Sequence, residues 1–423
     1  MKSRLAKVLH PVAGRPMLDY PLSMAEELAP SRLVVVIGRD ADRVEATFSG
    51  RARFVVQAER LGTGHAVKQA QPELKGFAGD VAVLYGDTPL LRAETLRAMQ
   101  RHKAETGAAL VMLATRMPLP GIVVRDAAGA VRRIVERPDA SPEELALTEF
   151  NTGVYLIDAD FLWDGLEALR DDNAQGEFYL TDLVAVAVTR GHGVAALTLE
   201  DDDEALGVND RSDLARAQAV ARRRHAERLM ASGVTIVDPE NTYIDTDVEV
   251  GPDTQTDPGC VVSGPTRIGE GVHLKAHCVV EESVIGDDSV IGPSAHLRPH
   301  TRLGAGVRIG NYVEVKNSVL GAGVKADHLS YIGDADVGAG ASFGCGSIVV
   351  NYDGVEKHRT KVGEGAFIGC NVNLVAPVTV EASSFVAAGS TITKSVPKDS
   401  LAVARERQRN VKGWVSRRQD KKE

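Results

Sequence analysis

Ile285-Gly286-Asp287-Asp288-Ser289-Val290-Ile291-Gly292-Pro293-Ser294-Ala295-His296-Leu297-Arg298, continuing through Leu303-Gly304 and Ile309-Gly310 to Val315-Lys316, places an aliphatic residue at every sixth position. The same beat begins at Val250-Gly251, Val262-Ser263, Ile268-Gly269 and Leu274-Lys275. It resumes at Val362-Gly363, Ile368-Gly369, Leu374-Val375, Val380-Glu381, Val386-Ala387 and Ile392-Thr393. A period of six fits neither the 3.6-residue turn of a helix nor the plain alternation of a strand. It suits a parallel β-helix, in which each aliphatic side chain points into a narrow prism and a small residue follows where the chain bends. Three hexapeptides close a coil, so residues 244–398 amount to about eight coils.

Composition agrees with a thin aliphatic interior: aromatic residues are 4% of the chain and glycines number 41. The 423 residues exceed one ordinary domain, and two or three are expected. With 49 basic and 58 acidic residues the formal net charge is -9, which argues against general nucleic-acid binding. Anionic ligands must then be met by local cations. Cys260, Cys278, Cys345 and Cys370 form no Cys-x-x-Cys pair, so reduced, buried thiols are expected rather than a zinc or redox motif. The opening Met1-Lys-Ser-Arg-Leu-Ala-Lys7 lacks an apolar signal core, and no run approaches the roughly 18 apolar residues of a membrane span. A cytoplasmic protein without membrane insertion is the expectation.

Ahead of the repeats, residues 17–209 alternate short apolar runs with helical patterns. Leu33-Val-Val-Val-Ile37, Phe54-Val-Val56 and Val81-Ala-Val-Leu84 are the runs; 94–103 is one of the helical stretches. Such alternation predicts a parallel sheet covered by helices on both faces, with ligands at the carboxyl ends of the strands. Three features stand there. Gln57 precedes Leu61-Gly-Thr-Gly-His-Ala66, a Gly-rich turn opening a helix, which is fit to present backbone amides or is simply a tight turn. Asp87 follows a buried run and is fit either to hold a divalent cation or to cap the next turn. Asn209 is fit to share that cation or to cap the long helix that follows.

That helix starts at Asn209 or Asp210 and runs to about Ser232, with Gly233 as its stop. Its Arg222-Arg-Arg224 run reads as a solvated face. The expected organisation is a nucleotide-binding domain over 1–209, a linker helix over 210–233, a β-helix over 234–405 and a C-terminal tail over 406–423. The polar stretch 351–361 breaks the hexapeptide period and cannot enter the prism, so a loop is expected to leave the solenoid there. From Arg417 to Glu423 the tail carries both charges densely and is expected to be disordered.

In order, the chain contains Lys7-Val-Leu-His10, Gln57-Ala-Glu-Arg-Leu-Gly-Thr-Gly-His-Ala66, Tyr85-Gly-Asp-Thr-Pro89, Asn151-Thr-Gly153, Asn173-Ala-Gln-Gly-Glu-Phe-Tyr-Leu-Thr-Asp182 and Gly207-Val-Asn209. The repeats add Leu297-Arg-Pro299, Asn311-Tyr-Val-Glu-Val-Lys316, His328-Leu-Ser-Tyr-Ile-Gly-Asp334, Asn351-Tyr-Asp-Gly354 and Leu374-Val-Ala-Pro377. This series resembles the bacterial bifunctional N-acetylglucosamine-1-phosphate uridylyltransferase / glucosamine-1-phosphate N-acetyltransferase family over nearly the whole chain. The resemblance implies a Rossmann-like nucleotidyltransferase domain followed by a left-handed β-helix. It also implies two reactions of UDP-N-acetylglucosamine biosynthesis, the supply line for peptidoglycan and lipopolysaccharide. Acetyl-CoA acetylates glucosamine 1-phosphate, and the N-acetylglucosamine 1-phosphate formed attacks UTP.

Carried over residue by residue, the resemblance makes His328 the general base for the sugar amine. That amine cannot attack a thioester while it is an ammonium, and an imidazole titrates near neutral pH. Arg298 and Lys316 match the sugar-phosphate ligands; Tyr331, Asn351 and Tyr352 match positions around the sugar. Lys357, in the excluded loop, matches a lysine that reaches an adjacent subunit, which implies a functional homotrimer. Cys345, Asn351, Tyr352, Cys370, Ala388 and Arg405 fall at acetyl-CoA positions. In the other half Lys7 matches a phosphate lysine, Gln57, Gly62 and Thr63 the uridine site, and Gly121, Glu136, Asn151 and Asn209 the rest of the UDP-sugar site. Asp87 with Asn209 matches the Mg²⁺ site.

The chain departs from the pattern at five places. Met1 aligns with the last residue of the family's Gly-rich phosphate loop, so a mis-assigned start and a native chain longer by about 15–20 residues are the expectation. Ala6 stands for a usual Pro, and Pro120-Gly121-Ile-Val replaces a Gly-Tyr-Gly-Arg stretch. Ser342 stands for an Asn, and Cys370 for a frequent Ser. Two other readings stay open at this level: an acetyltransferase alone, if Met1 is the true start, and a non-catalytic allosteric or scaffold subunit.

Overall fold

The structure is a computed structural model that describes residues 1–38 and 40–419; the expected tail beyond 419 lies outside the described residues. The chain forms two compact units, Met1–Ala221 and the remainder from Arg222. The boundary falls inside the helix Arg211–Ala231 rather than at either of its ends. No helix among the described residues is long and apolar enough to cross a membrane.

In the first unit the expected parallel sheet is corrected to a mixed one. Phe150–Asp158, buried along almost its whole length, is the spine. It pairs antiparallel with Asp80–Val83, with Leu110–Thr115 and, through Ile122, with Gly121–Arg125. Val194–Thr198 adds the parallel edge beside Leu110–Thr115, and Val131–Glu136 closes the far side as the partner of Gly121–Arg125. Val34–Ile37 and Arg53–Val56 form a separate parallel pair. Pairing partners lie as far apart in sequence as Leu110 and Val194, so strand direction is set by tertiary packing and leaves no local trace in apolar runs that read alike in either orientation. Helices pack on both faces, as in Leu166, Leu180 and Leu183 against Tyr155 and Ile157, or Met24, Leu96 and Met99 against Val111 and Leu113.

In the second unit, three parallel sheets of ten, nine and eight short strands stack into the expected left-handed β-helix. The prism starts at Thr235–Ile236 and ends at Leu401–Ala402, so the estimate of about eight coils over 244–398 was short at both ends. The strands bury the residues that the six-beat marks, Val250 only partly: Ile285, Ile291, Leu297, Ile309 and Val315 are 0–2% exposed. Full burial of such a side chain contributes about 1.5–3 kcal/mol. Corner carbonyls inside the prism are met by buried hydroxyls; Ser330 donates to the carbonyls of His328 (2.9 Å) and Gly344 (3.3 Å).

Four further expectations are corrected. Arg223 is exposed as expected, but Arg222 and Arg224 are half-buried, and the Arg222 guanidinium lies 4.9 Å over the Tyr243 ring instead of facing solvent. The excluded loop is shorter than 351–361: Tyr352 bridges Lys357, and Thr360–Val362 is already a strand with Thr360 inside the prism. Cys260 and Cys278 are buried, but Cys345 is partly accessible and Cys370 exposed; all four are free thiols. Ser416–Gln419 is helical, with Arg418 over the Trp414 ring at 4.9 Å, so the described part of the tail is ordered locally.

Candidate functional site

Within the first unit the candidate residues fall into three groups around Tyr85. The first is a cation held by two oxygens. Asp210, not Asn209, caps the long helix: its carboxylate accepts the amides of Ser212 (2.8 Å) and Asp213 (2.9 Å). The Asn209 side chain is thereby released toward Asp87, and Lys7 Nζ donates to both, at 2.5 Å to Asp87 Oδ2 and 3.2 Å to Asn209 Oδ1. Val208 N donates to the Asp87 carbonyl at 2.9 Å and pins the two segments together. A cleft of about 500 Å³ lined by Met117, Pro120, Gly207 and Asn209 opens alongside.

The second group is the Gly-rich turn. Gly62 has a φ of 106°, and a Cβ there would stand 2.6 Å from the Phe178 carbonyl, so only glycine permits this approach. Phe178 N donates to Leu61 O and Gly64 N to Phe178 O, both at 2.8 Å; Leu180 N donates to Thr63 Oγ1 at 3.0 Å. The 173–182 motif is therefore the clamp that shapes this turn. Gln57 Nε2 donates to the Gly62 carbonyl at 3.1 Å and lies 3.0 Å from His65 Nδ1, which aligns the side chain along the turn.

The third group is Gly121, Glu136 and Asn151. Gly121 pairs with Glu136 across the hairpin, and a Cβ on Gly121 would lie 3.4 Å from Asn151 Cβ and 3.5 Å from Glu136 Oε1. Asn151 Nδ2 donates to Tyr155 OH at 2.8 Å, while its Oδ1 is buried without a partner. Burial, and then the charges of Asp182 and Asp139, hold the Glu136 carboxyl above its usual range, against the hydrogen bond from Thr181. An orphaned acceptor beside a reluctant carboxylate leaves demand for hydroxyl or amide donors from a ligand.

Tyr85 links the three groups, by a hydrogen bond to Thr63 and by the charges of Asp87 and Glu136 acting on its hydroxyl. Its ring lies where a Cβ on Gly153 would be, 2.0 Å from Tyr85 Cε2, which explains the glycine of Asn151-Thr-Gly153. Burial, reinforced by Asp87 and Glu136, pushes its hydroxyl to about 12, and it hydrogen-bonds Thr63. Tyr85 and Thr181 were not singled out from sequence, although both stand inside quoted motifs.

In the β-helix the candidates occupy two corner columns. Strand register aligns Lys325, Ser342, Phe367 and Phe385 on one face. Three residues beyond each lie His328, Cys345, Cys370 and Ala388, so one corner carries all four. Asn371 N donates to the Cys345 carbonyl and Gly389 N to the Cys370 carbonyl, both at 2.8 Å, and Arg405 Nη1 reaches the Ala388 carbonyl at 2.7 Å. These candidates, scattered over 78 positions of sequence, thus form a continuous vertical track. His328 stands exposed at its lower end, preceding Leu329 at a φ of 46°. Arg308 pairs with Lys325 and Lys325 with Ser342, so the coils here take 17 residues instead of 18.

The neighbouring corner carries Asn317, Asp334 and Asn351, each three residues beyond the aligned Glu314, Tyr331 and Ile348. Both amides donate through Nδ2 to Asp334, Asn317 to Oδ1 and Asn351 to Oδ2, and Asn351 Nδ2 also lies 3.4 Å from Tyr331 OH. Beside this column are the cations. Arg298 Nη1 donates to Glu314 Oε1 at 2.8 Å. Lys316 is held below the usual lysine range, first by Lys357, then by burial, with Asp334 opposing. Arg298, Lys316 and Lys357 thus crowd together with two carboxylates among them, a pocket disposed to take an anion. Lys357, matched above to a lysine of an adjacent subunit, lies here against Lys316 of its own chain. Tyr352 is exposed, its hydroxyl donating to the Gly354 carbonyl at 2.6 Å. Asp334, Asn317 and Glu314 were missed as site residues; their signal is a coil-length spacing, legible only once register is known.

Comparison with known proteins now has a geometry to attach to. A MobA-like NTP transferase domain model matches residues 1–146, and bacterial transferase hexapeptide models match 247–282 and 282–317. The chain is 49% identical to a protein of Pelobacter propionicus named bifunctional protein GlmU, over 100% of this chain and 96% of that one. Proteins of the same name from Trichlorobacter lovleyi and an Exiguobacterium species are 48% and 47% identical, each over 99% of this chain and 96–97% of theirs.

Proposed function

The chain belongs to the family of the bifunctional protein GlmU, and from that membership we propose how its two units divide the work. It is a transferase with acetyltransferase and uridylyltransferase activities acting on small nucleotide-sugar precursors. Acetyl transfer belongs to the β-helix and uridylyl transfer to the first unit; a cytoplasmic enzyme fits these substrates.

The observation that carries the acetyl-transfer reading is the track from His328 to Arg405 beside a cationic corner. Glucosamine 1-phosphate sets its phosphate on Arg298 and Lys316 and its ring beside Tyr331, Asn351 and Tyr352. Acetyl-CoA runs along Cys345, Cys370, Ala388 and Arg405, which brings the thioester toward His328. His328 takes a proton from the amine, nitrogen bonds to the acetyl carbon, the C–S bond breaks, and the departing CoA thiolate takes that proton from His328 to leave as a thiol. Because Arg298, Lys316 and Lys357 exceed the carboxylates around them, phosphate binding relieves their mutual repulsion. In a homotrimer the exposed loop lets Lys357 swing to a neighbouring subunit's pocket, each pocket then receiving its third cation from the adjacent chain instead of its own.

In the first unit, Gln57, Gly62 and Thr63 take the uridine, and Gly121, Glu136 and Asn151 the N-acetylglucosamine moiety, whose donors satisfy Asn151 Oδ1. Asp87 and Asn209 suit Mg²⁺: two hard oxygens converge on one cationic point, at which Lys7 now stands. Mg²⁺ bound there would neutralise charge on the triphosphate oxygens. Lys7, released to the phosphates, steadies them while a sugar-phosphate oxygen attacks the α-phosphorus in line and pyrophosphate departs.

Assaying both half-reactions on His328→Ala and Asp87→Ala tests the division. The first variant is expected to lose acetyl transfer with uridylyl transfer intact, and the second the reverse. Unchanged acetylation in His328→Ala overturns the mechanism.

A further inference from the structure

Asp334 is a buried charged group of the β-helix corner, held on both sides by neighbouring coils. It is 7% exposed, its backbone is left-handed at a φ of 50°, and its carboxylate receives amide hydrogens from the coil below, Asn317, and the coil above, Asn351. A carboxylate only accepts, so both amides are held with nitrogen inward. Asn351 has two N–H bonds; one goes to Asp334, and the other points toward Tyr331 OH at 3.4 Å. Its Oδ1 is therefore turned away from the column and offered as an acceptor. An acceptor is the partner that an amine carrying protons requires.

We propose that Asp334 is a positioning residue for acetyl transfer, setting the orientation of Asn351 and so the acceptor presented to the sugar amine. This rests on the reading of the β-helix as the acetyl-transfer unit. Its second effect is electrostatic: one negative charge beneath Lys316 and Lys357 keeps two repelling ammonium groups at the same corner. Its backbone ties the parts as well, for Asp334 N donates to the Lys316 carbonyl and Thr360 N to the Asp334 carbonyl, both at 3.0 Å. Those two bonds survive any side-chain change, which separates the role of the carboxylate from that of the corner.

Asp334→Asn is the discriminating variant, because Asn tolerates left-handed backbone as well as Asp does but puts a donating NH2 where one of the two accepting oxygens stood, so one neighbouring amide meets a donor instead of an acceptor. A purely structural role predicts normal activity for it. The experiment measures acetyl and uridylyl transfer for wild type, D334N, N351A and the double variant, with circular dichroism and thermal unfolding to establish that each is folded. The expected result is a D334N protein with unchanged uridylyl transfer and unchanged KM for acetyl-CoA. Its kcat/KM for glucosamine 1-phosphate falls at least about 10-fold, and the double variant is no worse than N351A alone. Wild-type kcat/KM in D334N, or losses that multiply in the double variant, overturns the proposal. A wild-type protein that transfers no acetyl group overturns the underlying reading instead, before any variant is compared. Should D334N not fold, the same comparison is made with D334E, which keeps the carboxylate and is expected to retain acetylation while losing thermal stability.

Discussion

Gly310→Ala links the packing of the prism to the position of the proposed base. Gly310 faces Asp327 in the next coil, between the aligned pairs Ile309 with Ala326 and Asn311 with His328. A Cβ at Gly310 would stand 1.9 Å from the Asp327 carbonyl oxygen and 2.5 Å from its carbon. Those are backbone atoms, so no rotamer relieves the clash, and the two coils must separate by about 1 Å before the contact is tolerable. Separation stretches the bonds from Leu329 N to Asn311 O and from Arg308 N to Val324 O, each 2.9 Å. Overpacking at about 1–3 kcal/mol plus two weakened ladder bonds at about 0.5–1.5 kcal/mol each gives a destabilisation of about 2–6 kcal/mol. A displacement of about 1 Å at His328 lowers acetyl transfer by about 100-fold. Gly306→Ala is the control: its φ of 66° strains alanine by about 1–2 kcal/mol, yet nothing lies within 4 Å of the added carbon. Thermal unfolding and both transferase assays on the two variants decide the matter, with uridylyl transfer unchanged in each. A Gly310→Ala protein as stable and as active in acetylation as Gly306→Ala would refute the reasoning.

Three other outcomes follow from the same structure. Burial raises the Glu136 pKa, so the native state binds that proton more tightly than the unfolded chain, and this group's contribution to stability falls as pH rises from about 4.5 through the raised value. Glu136→Gln should therefore raise the melting temperature of the first unit at pH 8 but not at pH 4, while depressing uridylyl transfer; an unaltered pH slope contradicts this. Lys7→Met frees Asp87 and Asn209 of their present cation and should tighten Mg²⁺ binding, read by calorimetry without nucleotide, while slowing uridylyl transfer; weaker Mg²⁺ binding would argue against a shared point. Cys370 is exposed and Cys260 and Cys278 are buried, so alkylation of the native protein should modify Cys370 far faster than that pair and raise the KM for acetyl-CoA. Cys370→Ser should abolish that effect of the reagent, as peptide mapping and kinetics would show.

The β-helix was legible in sequence because its rule is local: residues six apart take equivalent places, and Ile285, Ile291, Leu297 and Val315 declared themselves by chemistry alone. His328, the cationic residues and the N-terminal motifs were legible through their resemblance to a known family. What sequence alone left open was register. Coils of 17 and 18 residues, and the long coil carrying the loop, decide that His328, Cys345, Cys370 and Ala388 share one corner and that Asn317, Asp334 and Asn351 share the next. The packing of Arg222 likewise depended on Tyr243, a residue beyond the helix. Strand direction around Phe150–Asp158 depended on partners dozens of residues away, and Tyr85 gained its meaning only when Gly153 left room for its ring. Hydrophobic period and turn chemistry act between near neighbours and are written in order along the chain. Pairing between distant segments is settled by the burial and hydrogen bonding of the whole, and appears only in three dimensions.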